Sequence, residues 1–204
     1  MVNSIKDKIL DAALEQFLIH GKAGTTTKNI AEAAGVNKAL IHYYFSSKEM
    51  LFICCVKNIL ENMEATFHKT EVRSITEYKE YLNALITSYT TFIKQHDKHI
   101  IFLLWEYLND KDLITEIKNI IGSSHLIDFI SKTQKAITDG VIREIDPLDL
   151  YLNLISLILS TYMILPITLS FLGEDRSEMK DNLTKKREAE ISRLLWEDVK
   201  KENR

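Results

Sequence analysis

The sequence predicts an all-α protein, and three observations carry that prediction. Its 204 residues hold only six glycines and two prolines, so few breakers interrupt the chain. Apolar residues recur at three- and four-residue spacing along most of its length, and no useful run of strand-like alternation occurs. Serine, threonine, asparagine and aspartate stand at the starts of these periodic segments, where helix caps belong. About nine to ten helices are expected on that pattern.

In order along the chain, Ser4-Ile5-Lys6-Asp7 reads as a capping box, with Ser4 as N-cap and Asp7 at the positive end of the helix dipole. Ile9, Leu10, Ala13, Leu14 and Phe17 then repeat with helical spacing until Gly21 closes the first helix. A second helix starts after Thr26 and ends at Gly35, and a third runs from about Lys38 to Tyr44. Ser46-Ser47-Lys48-Glu49 opens a long fourth helix carrying Met50, Leu51, Ile53, Cys54, Ile59, Leu60, Met63 and Phe67. Ile75 to Ile93 is amphipathic, with Tyr78, Leu82, Leu85, Ile86 and Tyr89 on one face. Helices over 97–108, 110–121 and 123–140 follow, separated by short polar joints. Asp146-Pro147 opens an apolar helix, because proline fits a first-turn position, and the last helix carries Leu183, Ile191, Leu194, Leu195 and Trp196 among many charges.

Composition excludes several classes. With 46% hydrophobic and 27% charged residues the chain is neither disordered nor a disulfide scaffold. Cys54 and Cys55 are adjacent, which forbids an ordinary disulfide loop between them, and they read as helix thiols in a reducing cytoplasm. The start of the sequence has mixed charge and no apolar h-region, so no signal peptide is expected. Nucleotide loops, a nucleophile elbow and zincin patterns are absent from the sequence. His96 and His99 are the only histidines at helical spacing, and a third metal ligand is missing. No catalytic residue, metal or cofactor is therefore expected, and the chain does not read as an enzyme.

Residues 27–46 carry the most specific signal. Two helices crossing steeply over a tight turn need a small residue at the crossing, here Ala31, and a left-handed turn residue four positions on, here Gly35. Ile30, Ala34, Val36, Ile41 and Tyr44 fall at inward positions, and Asn37 can cap the second helix. The outward face of that helix is then Lys38, Ala39, Leu40, His42 and Tyr43. Lysine, histidine and tyrosine there suit phosphates or base edges, while Ala39 and Leu40 suit thymine methyls in the major groove. Thr25, Thr26 and Thr27 at the start of the second helix, and Lys48 at the start of the fourth, add candidate phosphate contacts. The whole chain carries a net charge of −3. Its first 48 residues, however, hold six lysines against four acids, a balance of +2 where the nucleic acid would lie.

These residues resemble a known family. Ile9-Leu10-Asp11-Ala12-Ala13, Phe17, Gly21, Thr25-Thr26, Ile30-Ala31-Glu32-Ala33-Ala34-Gly35-Val36 and Tyr43-Tyr44-Phe45-Ser46-Ser47-Lys48-Glu49 look like the TetR family of transcription regulators. The resemblance implies a DNA-binding domain over residues 3–63, with its helix-turn-helix at about 27–46. Over residues 64–204 it implies a helical domain that binds a small ligand and dimerises through its last two helices. It also implies a repressor of cytoplasmic double-stranded DNA operators, released by ligand. Three departures stand out. Ala39 replaces a usual glycine or small residue. His42 replaces a usual tyrosine. The first arginine is Arg73, so the guanine-reading side chain is missing from the DNA-binding domain, which favours an A·T-rich operator.

The uncharged run from Leu150 to Leu172 admits two readings. It is long enough to span a bilayer, and Pro166 is tolerated there. Its near flanks, however, are the acids Glu144, Asp146, Asp149, Glu174 and Asp175, which offer no positive anchor. The preferred reading is a homodimer core through Leu148–Leu172 and the C-terminal helix, with a kink or break near Tyr162–Leu165 caused by Pro166. The alternative is a membrane-anchored or protein-interaction module that binds no DNA. Candidate ligand-pocket residues are Phe67, Tyr89, Phe92, Phe102, Trp105, Tyr107, Phe129 and Tyr162, with Trp105 and Tyr107 beside Glu106 as first choice and an apolar or aromatic effector expected.

Overall fold

A computed structural model describes residues 4–65, 74–110, 115, 124–172 and 177–200. Among the described residues there are eight helices and no strand: α1 (Ile5–Gly24), α2 (Thr27–Ala34), α3 (Lys38–Phe45), α4 (Lys48–Ala65), α5 (Ile75–Asn109), α6 (Ser124–Thr138), α7 (Pro147–Phe171) and α8 (Ser177–Val199). The helix expected over 110–121 lies outside the described residues except at its first position and Thr115.

The chain forms two compact units, one of residues 1–64 with 96–122 and one of residues 65–95 with 123–204. Helix α5 contributes to both. Its backbone leaves helical geometry once, at His96 (φ −132°, ψ 30°), so the joint expected after Ile93 survives as a single residue.

In the first unit, local chemistry sets each boundary. Ser4 and Asp7 form the reciprocal capping box. Gly21 breaks α1 with φ 69° and ψ 170°, a region open essentially to glycine. Gly35 ends α2 in the left-handed conformation, and the Val36 amide donates to Ala31 O at 3.0 Å, the pairing of a Schellman cap. Ser47, rather than Ser46, caps α4, its Oγ accepting from the Met50 amide at 3.0 Å. The core joins Ile9, Ala13, Phe17, Ile30, Ala31, Ile41, Phe45, Leu51, Phe52, Cys55 and Val56 to Phe102 of α5. The packing unit thus reaches beyond the contiguous segment 3–63. Phe45 fills the inward place expected of Tyr44, because it follows Ile41 by one helical turn, while Tyr44 stays exposed. Cys55 is fully buried, and burial pushes its thiol far up, so it is inert as a nucleophile.

In the second unit, Asp146 caps α7, accepting from the Leu148 amide at 2.7 Å. The helix continues through Pro166 to Phe171, so of the expected kink or break the break does not occur. One face of α7 (Leu150, Leu154, Ile158, Thr161, Leu169) is buried, and α8 lies along it with Ile191, Leu195 and Val199 inward. Arg143 ties the end of α8, bonding the Asp198 carboxylate and carbonyl while its own amide donates to Val199 O.

Candidate nucleic-acid interface

The helix-turn-helix is held by contacts that converge on the short link from Gly21 to Thr26. Thr25 is buried, and its hydroxyl donates back into the end of α1, with Gly21 O at 2.8 Å and Gln16 O at 3.0 Å. Lys48 sends its ammonium to Lys22 O (2.9 Å) and Thr25 O (3.0 Å), a cation on the carbonyl end of α1. From α5, the buried Glu106 carboxylate accepts the Lys22 amide at 2.9 Å, and just past the end of that helix Asp110 pairs with the Lys22 ammonium at 3.0 Å. The backbone angle requires glycine at Gly21, and a Cβ there would stand 3.3 Å from Glu106 Oε1. This scaffold fixes the direction in which α2 leaves.

Two of the expected phosphate contacts are engaged within the chain itself. The Thr25 hydroxyl and the Lys48 ammonium are turned inward and already bonded, because free carbonyls at a helix end need donors. Thr26 is exposed and caps α2, its Oγ accepting from the Asn29 amide at 3.2 Å, and Thr27 is half-buried. On α3, Asn37 caps as expected, with Ala39 N at 3.0 Å. Lys38, Ala39, His42 and Tyr43 are all exposed on α3, and Tyr43 reaches 79%. Leu40 differs: it is half-buried against the core and offers less to a thymine methyl than expected.

Residues 9–54 match the family model of the bacterial regulatory proteins of the tetR family. The regulator RutR of Escherichia coli K12 is 39% identical over 83 residues, covering 40% of this chain and 39% of RutR. The repressor NicS of Pseudomonas putida KT2440 is 30% identical over 107 residues, 51% of this chain and 49% of NicS. Over this amino-terminal segment the chain is similar to members of the TetR family. The match spans about half or less of either relative, so the likeness in sequence concerns only part of each protein. The fold extends further. The transcriptional regulator FadR of Bacillus subtilis, solved with stearoyl-CoA, superposes with a TM-score of 0.65 at 21% identity, over 93% of this chain and 96% of that one.

The expected pocket residues fall in separate places. Phe102 belongs to the core of the first unit, edge-on to Phe52 at 5.8 Å. Trp105 and Tyr107 are 63% and 40% exposed on the surface of α5, and the Glu106 between them serves the α1 end instead. Phe67 lies outside the described residues. In the second unit Tyr89 and Phe129 meet through a cluster that the sequence did not single out. Tyr151 accepts or donates a bond with the Tyr89 hydroxyl at 3.1 Å and packs on Phe129 at 5.4 Å. Tyr81 stacks on Phe129, and the Tyr78 hydroxyl pairs with Thr133 at 2.9 Å. Phe92 is buried, and the Tyr162 hydroxyl donates to Glu188 at 3.3 Å. Burial pushes the Tyr78 phenol up to about 12, and Tyr81 and Tyr89 further still. These are neutral hydrogen-bonding groups at any physiological pH. The spacing of Tyr78, Tyr81 and Tyr89 on one α5 face was the available signal.

Proposed function

We propose that the chain is a ligand-responsive transcriptional repressor that binds a pseudo-palindromic double-stranded operator as a homodimer in the cytoplasm. The observation that carries this reading is the face of α3, where Lys38, Ala39, His42 and Tyr43 are exposed while Thr25, Lys48 and Glu106 fix the helix pair behind them. Thr26 and Thr27 at the start of α2 complete the contact surface. RutR and NicS are named as a transcriptional regulator and a repressor, which supports a regulator over an enzyme. The functional division is residues 3–63 for DNA and 64–204 for effector and dimerisation.

Dimerisation rests on α7. This helix is long and apolar enough to cross a membrane, with a mean hydropathy of 1.9 and only 22% of its apolar window buried in the chain. Leu152, Ile164, Ile167 and Phe171 remain exposed. A second copy covers that face better than a bilayer does, since α8 beside it carries Lys185, Lys186, Arg187, Glu190 and Arg193, which hydrocarbon would have to desolvate. The effector is apolar or aromatic and enters among the tyrosines of the second unit. FadR, bound to an acyl-CoA, illustrates such a ligand on a similar fold.

Selection of bound DNA from a random pool tests the reading. The expected product is palindromic, with half-site centres one helical turn, roughly 34–36 Å, or a multiple apart. Binding should weaken steeply with salt. A pool without enrichment overturns it.

A further inference from the structure

We infer that His42 reads a base amino group, adenine N6 or cytosine N4, in the major groove; the inference rests on α3 being the recognition helix. The His42 Nδ1 lies 3.1 Å from the Ser46 carbonyl oxygen. A carbonyl only accepts, so the ring hydrogen sits on Nδ1. In the neutral imidazole, Nε2 is then a bare lone pair on an exposed side chain, one helical turn after Lys38.

That tautomer selects the partner. A lone pair facing a phosphate oxygen sets two acceptors against each other, so neutral His42 is a poor substitute for a hydroxyl at the backbone. The base donors displayed in the major groove are the amino groups of adenine and cytosine. The neighbouring Tyr43, 79% exposed and with a rotatable hydroxyl, is the residue suited to phosphate.

The anchor is rigid as well as specific. Ser46 has φ 63° and ψ −49°, a non-glycine residue at positive φ, and the Ser47 amide donates across it to Phe45 O at 2.7 Å. This is a γ-turn, a tight and strained conformation that leaves its central carbonyl little freedom. The ring is therefore fixed before DNA arrives, and a fixed acceptor discriminates better than a mobile one.

The test uses the full chain at about pH 8, where an ordinary histidine is neutral. DNA selected by the wild-type protein should contain one position per half-site restricted to adenine or cytosine on the contacted strand. His42→Ala should lose that restriction while the other positions keep theirs. Replacing an adenine there by 2-aminopurine, or a cytosine by a pyrimidine lacking the 4-amino group, should weaken wild-type binding about three- to tenfold, the worth of one hydrogen bond. This second arm leaves the protein unaltered, so a folding defect in His42→Ala cannot mimic it. A selected motif that His42→Ala retains in full, or a uniform loss of affinity for all sequences, overturns the assignment and leaves the regulator reading intact. A wild-type protein that selects no sequence overturns both.

Discussion

Glu106 shows how much a single side chain can depend on a distant partner. It sits between Trp105 and Tyr107, and by sequence it belongs with candidate ligand aromatics. Its carboxylate is instead buried against the Lys22 amide, 84 positions earlier in the chain. Glu106→Ala should leave that amide unpaired and lower stability by about 2 kcal/mol, whereas Glu106→Gln keeps an acceptor and should lose less. Denaturant unfolding of the two variants checks this, and equal losses would show that packing rather than the hydrogen bond matters. Thr25 and Lys48 carry the same lesson. Their residue types suited phosphate, yet unpaired carbonyls at the end of α1 claimed them first.

Among the elements, α5 is the one whose behaviour the apolar pattern half revealed. The periodicity stopped at Ile93 and resumed after Asp97, and the helix does turn off its axis at His96. Just beyond, burial holds the His99 imidazole below its ordinary value, helped by the adjacent His96 and opposed by Asp97, and its Nδ1 has no partner among the described residues. The folded state thus favours the neutral ring. His99 contributes stability that is full above about pH 6.5 and is lost as pH falls toward its lowered value. The melting temperature of the wild type should therefore drop more between pH 7.5 and 5.5 than that of His99→Gln, by thermal melts at fixed ionic strength. Parallel curves would remove His99 as the cause. In helix α7, of the kink or break expected from Pro166, the break does not occur, and the helix continues to Phe171.

For the molecule as a whole, the exposed row Leu152, Ile164, Ile167 and Phe171 is the surface that must find a cover. Leu152→Asp with Ile164→Asp should yield a monomer that remains helical and binds the operator far more weakly, since two recognition helices no longer act together. Sedimentation in detergent-free buffer with circular dichroism checks this. A wild type that stays in solution only with detergent would favour the membrane instead.

The helices, their caps and the helix-turn-helix were legible in the residues, because each rests on contacts within a few positions: Ser4 with Asp7, Ala31 with Val36, Asn37 with Ala39. The exposed α3 face followed from the same helical period. Which polar side chains stay free was not legible, since Thr25, Lys48 and Glu106 are claimed by backbone groups that folding brings to them. Nor was the Tyr78–Tyr81–Phe129–Tyr151–Tyr89 cluster, which draws on three helices of the second unit. Local periodicity fixes where a helix lies and which way its faces point. The free or spent state of a donor depends on its neighbours in space, and those are supplied by the fold.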